Sequence, residues 1–68
     1  MTDENAVLKE TMKHLGEASR RIRASQHLMR EHALVDDPGY VYLVARLSEA
    51  LDVTEVALRE ARRRRDAG

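Results

Sequence analysis

The stretch YVYLVARLSEALDVTEVALREA, residues 40–61, decides the fold. Its members Tyr40, Val44, Leu47, Leu51, Thr54, Leu58 and Ala61 recur at alternating steps of four and three. Thr54 is the single polar residue in the series. That spacing is the period of a helix that buries a narrow seam against another helix. Leu43, Ala50 and Ala57 lie beside the seam and widen it.

Upstream, the same period returns in Leu8, Met12, Leu15, Ser19, Ile22, Gln26, Met29 and Ala33. Gly16 is the one weak helix former there, costing about 1 kcal/mol against Ala in a helix interior. It either bends the helix, admits a close neighbour, or sits as a tolerated surface glycine. Thr2 is a candidate cap, with Asp3 and Glu4 in the first turn, where the helix dipole favours anions. The only turn signal between the two stripes is Asp36-Asp37-Pro38-Gly39. Pro38 pushes Asp37 out of helical geometry and is itself suited to the first helical position, with Asp37 as its cap. These signals predict one domain spanning residues 1–68: helix 1 over about 3–35, a turn at 36–38, and helix 2 over about 38–65. Arg62 to Arg65 then complement the carbonyl end of the second helix, and Asp66, Ala67 and Gly68 are expected to fray.

Folding the chain back at the turn sets the two stripes in step. Ala33 meets Tyr40, Met29 meets Val44, Gln26 meets Leu47, and Ile22 meets Leu51. Ser19 then falls opposite Thr54, Leu15 opposite Leu58 and Met12 opposite Ala61. The polar interruptions coincide, and small residues face large ones at both ends. This matching predicts an all-α, antiparallel two-helix hairpin. Gln26 against Leu47 is the one misfit.

A hairpin core is thin. A second set of apolar residues lies off the seam: Tyr42, Ala45, Val53 and Val56 on helix 2, with Val7, Ala18, Ser25, Leu28 and Val35 on helix 1. Left bare, they form a long apolar strip. Burying them between two hairpins gives a four-helix bundle, so a homodimer or a complex with another protein is expected. Tyr42, Ala45, Val53, Val56, Leu28 and Val35 are the predicted interaction surface.

The composition agrees. Sixty-eight residues supply a core worth roughly 3–5 kcal/mol at most, and the chain has no cysteine to staple it. Twelve basic and twelve acidic residues cancel, which argues against a general nucleic-acid or membrane coat. No apolar run reaches the ~20 residues that span a bilayer, and the acidic start is followed by no signal-type core, so a soluble, cytoplasmic protein is expected. Two tyrosines are the only aromatics, too few for base-stacking platforms. The Ala- and Arg-rich usage points to a high-GC bacterial or phage source.

Leu47 to Ala61 also resembles a helix-turn-helix segment of bacterial regulators. In that pattern Leu47, Leu51, Val53 and Leu58 are the buried positions and Ser48 the small residue. Thr54 opens the recognition helix behind Asp52 as cap, with Glu55 completing a capping-box-like pair. The resemblance implies DNA binding through residues 47–65. Asp52 stands where Gly is usual, and Ala61 is smaller than the pattern requires. The uninterrupted period through Thr54 predicts one continuous helix instead.

Few residues have the spacing of a chemical site. Glu10, His14 and Glu17 share a helix face, and His27, Glu31 and His32 are close in sequence. The Glu-x-x-His pairs of di-iron bundles are absent, and no metal or other cofactor is expected. No nucleophile has a base at a familiar spacing, and no Gly-rich phosphate loop occurs, so catalysis is not expected. Arg20, Arg21 and Arg23 fan out around a helix, and Arg62, Arg63, Arg64 and Arg65 occupy the last turn of helix 2. These are the candidates for contact with an acidic partner. The function expected is a small protein–protein interaction module: a regulatory, adaptor or assembly subunit. DNA binding stands second, and an enzyme or metal protein built on a helical bundle third.

Overall fold

A computed structural model describes residues 3–67. Two long helices run antiparallel and are joined by a short double turn. Helix α1 spans Glu4–Glu31 and α2 spans Val41–Ala67, about 40 Å each at 1.5 Å per residue. Between them lie two single 3-10 turns, Leu34–Asp36 and Pro38–Tyr40.

The start of α1 is set by Asp3, whose carboxylate accepts the Ala6 amide at 3.2 Å. The expected cap, Thr2, lies outside the described residues, and Asp3 takes that role. Helix α1 stops at Glu31, four residues before the predicted end at 35. Ala33 is the cause. It adopts the left-handed conformation, φ 59° and ψ 23°, immediately after the C-cap His32. Glycine is the usual occupant of that position, because a Cβ there crowds the following carbonyl. Here the Ala33 amide donates to the Arg30 carbonyl at 3.1 Å and closes the helix end.

The second start was legible. Asp37 is extended, its carboxylate accepts the Gly39 amide at 2.8 Å, and Pro38 opens the turn that leads into α2. That first turn is 3-10, so the α-helix itself begins at Val41 rather than 38. It continues to Ala67, so Asp66 and Ala67 are helical, and Gly68 lies outside the described residues.

The core follows the seams. Met29 and Ala61 are the buried apolar residues, and both are seam residues. From Leu8 to Met29 and from Val44 to Ala61, every seam residue is buried or half-buried. Two of the expected facing pairs, Met29/Val44 and Gln26/Leu47, lie together. Met29 and Gln26 line one small cleft with Val44 and Leu47, and Leu8 lines another with Arg64 and Ala67. The outermost pair departs from expectation: Ala33 and Tyr40 lie in the turns and are exposed. Beside the seam only Ala57 is half-buried; Leu43 and Ala50 are exposed. Thr54 is tolerated in the seam because its hydroxyl donates to the Ala50 carbonyl at 2.6 Å, within its own helix. It needs no partner from Ser19.

The hairpin is a rod of 51 × 16 × 14 Å. Its radius of gyration is 15.4 Å, against about 11 Å for a typical domain of this length. It exposes 5446 Å², where a folded monomer of this mass exposes about 4,400 Å². No helix among the described residues is long and apolar enough to cross a membrane.

Because Ala33 holds a conformation that glycine adopts freely, Ala33→Gly should stabilise the hairpin by about 0.5–1 kcal/mol, the left-handed penalty net of glycine's greater unfolded-state freedom. Urea titration followed by circular dichroism measures this. A loss of stability would show that the left-handed turn is not a source of strain.

Candidate functional site

The exposed surfaces are set by the angle each residue makes with the seam. On α2, Tyr42, Val53 and Val56 stand exposed at 74%, 69% and 56%, and Leu28 on α1 at 55%. Ala45 and Val7 are exposed as well. Val35 differs from its expected place. It is half-buried in the first 3-10 turn and lines the cleft with Met29 and Val44. Ala18 is half-buried and Ser25 exposed.

Residues 47–65 form part of one uninterrupted helix. Asp52 is helical and no turn interrupts Leu51 to Val53, so the geometry of a helix-turn-helix is not present in this segment.

The structure sorts the arginines that the sequence left together. Arg23 reaches across to Glu55 in the only ion pair between the two helices among the described residues. Glu60 is held by Arg63 at 2.8 Å and Arg64 at 3.2 Å. The hydrogen bonds from Arg63, and then from Arg64, hold the Glu60 carboxyl below the usual glutamate range. A depressed carboxylate stabilises the folded state above its unfolded pKa and loses that contribution as pH falls through the folded one. Arg65 pairs with Asp66 at 3.3 Å. Arg46 pairs with Glu49 one turn on, and its guanidinium lies 5.1 Å from the Tyr42 ring centre. Arg20, Arg21 and Arg62 have no carboxylate partner among the described residues.

The histidines sit in local pairs. His14 lies 3.7 Å from Glu10, and His27 lies 2.9 Å from Glu31, all exposed. Glu17 does not complete a site with the first pair, nor His32 with the second. Among the described residues no group of three His, Cys, Asp or Glu is placed to hold a metal ion.

Sequence reasoning missed one feature. Lys9, Lys13, Arg20 and Arg62 surround a notch beside Gly16, lined also by Met12 and Leu58. The signal was present in the spacing Lys9, Lys13, Gly16, Arg20, which runs at steps of four, three and four along one face of α1. What the sequence alone could not supply is Arg62 from the other helix.

No family model, no curated protein and no solved structure matches this chain.

Exposed ion pairs contribute little, but Arg23–Glu55 joins the helices far from the turn. A double-mutant cycle on Arg23→Ala and Glu55→Ala should give a coupling of about 0.2–1 kcal/mol that shrinks as salt rises. Thermal melts of the four proteins read it. Zero coupling at low salt would mean that the two side chains do not meet in solution.

Proposed function

We propose that the chain is a small, non-enzymatic protein–protein interaction module, a regulatory, adaptor or assembly subunit, whose outer apolar residues pair two hairpins into a four-helix bundle. The observation that carries this reading is the exposure of Tyr42, Val53, Val56 and Leu28 on helices whose seams are already occupied by each other. A hairpin that worked alone would carry polar residues there.

Two quantities support it. The hairpin exposes 5446 Å², roughly 1,000 Å² beyond the expectation for a folded monomer of its mass. A standard interface removes about 800 Å² from each partner. In addition, a fully buried Val is worth about 1.5–3 kcal/mol. Two of them rival the whole stability expected from a core this small. Association is then coupled to stability, and the partner most simply supplied is a second copy.

Val53→Glu and Val56→Glu test this by light scattering and circular dichroism. Each should lower the assembly to the mass of a single chain and lower the melting temperature in the same step. If the wild-type chain is already monomeric, and neither change alters mass or melting, the strip is ordinary surface and the reading fails. A complex with a different protein would instead lose that partner while the wild-type helicity stays intact.

A further inference from the structure

We infer that the notch beside Gly16 is a docking site for an acidic segment of a partner protein, one that places an apolar side chain between carboxylates. Residue 16 has no side chain and leaves its side of the notch open. A Cβ built there would approach only the Arg20 guanidinium, at 3.7 Å, so no other group fills the space. What remains is an open hollow of about 370 Å³ bridging the two helices. Met12 and Leu58, both half-buried seam residues, give it an apolar lining.

Its rim is cationic from both helices. Lys9, Lys13 and Arg20 come from α1 and Arg62 from α2. None of the four has a carboxylate within ion-pair distance among the described residues. Three carboxylates of the C-terminal half are held elsewhere: Glu55 by Arg23, Glu60 by Arg63 and Arg64, Asp66 by Arg65. A chain of zero net charge therefore gathers four uncompensated cations at one place. Such a concentration favours an anionic partner and repels a second copy of the same face.

The lining decides the kind of anion. An isolated phosphate gains nothing from Met12 and Leu58, and mid-helix backbone amides are already used within the helix. Duplex DNA requires phosphate contacts spread along its length, whereas these cations converge on one hollow. An acidic peptide with an apolar anchor uses both features, and the flexible Met12 adapts to the anchor's shape. The site shares no residue with Val53, Val56, Tyr42 or Leu28. It therefore stands or falls separately from the pairing of hairpins.

The test is an NMR titration of the full ¹⁵N-labelled chain with the acetylated peptide Glu-Asp-Leu-Asp-Glu. The amides of Lys13, Gly16 and Arg20 should shift, with weak, salt-sensitive affinity. Charge reversal at both helices, Lys13→Glu with Arg62→Glu, should weaken binding by about tenfold or more. Gly16→Leu keeps every charge, favours the helix and places a bulky side chain in the hollow, and it should weaken binding comparably. Circular dichroism checks that both variants remain helical. The same peptide with Gly in place of Leu should bind less tightly. Several results would overturn the proposal: shifts spread over the whole chain or absent, binding unchanged by Gly16→Leu, equal binding of the Gly peptide, or tighter binding of a short DNA duplex at the same amides.

Discussion

One line of apolar contact between two helices holds this molecule together. Each helix is about 40 Å long and offers the other a single stripe, from Leu8 to Met29 on α1 and from Val44 to Ala61 on α2. Two cylinders meet along a line, so even the residues at the contact stay partly open. Among the described residues only Met29 and Ala61 are buried outright. Everything else about the structure follows from that geometry. The turn must return the chain in register, the polar residues of the seam must satisfy themselves locally, and most of the apolar residues outside the seam must face solvent or a partner.

The turn meets its part with two backbone devices. A left-handed Ala33 ends α1, and Asp37 with Pro38 starts the return. The seam meets its part through Thr54, whose hydroxyl is bonded to Ala50 of its own helix. Charge is distributed to match. Glu55, Glu60 and Asp66 are bonded to Arg23, Arg63, Arg64 and Arg65, while the cations around Gly16 have no carboxylate partner among the described residues. The apolar outer residues and the cationic notch are thus two separate surfaces.

The period of the apolar residues made the hairpin legible, because a strict four-three spacing has one helical solution. It also carried the antiparallel pairing and the continuity of α2 through Asp52. Asp37-Pro38 marked the second start for a similarly local reason. The first stop was not legible, since Ala33 occupies a place where glycine is the usual signal and nothing in an Ala-rich helix distinguishes it. The expected Ala33/Tyr40 layer failed with it, and Val35 is half-buried beside Met29 and Val44. The notch was half legible. The spacing of Lys9, Lys13 and Arg20 is visible in the chain, but which arginine of the terminal run joins them depends on the side on which α2 packs. Likewise, the fate of Arg23, Arg63, Arg64 and Arg65 is decided by neighbours one turn away or across the seam.

The central claim is that the seam alone is too thin and that a second copy completes the fold. The concentration dependence of thermal unfolding tests it most directly, because partner binding stabilises by mass action. Melting followed by circular dichroism over about two orders of magnitude in protein concentration should show the midpoint rising steadily with concentration. A midpoint that stays constant over that range, with the mass of a single chain throughout, would contradict it.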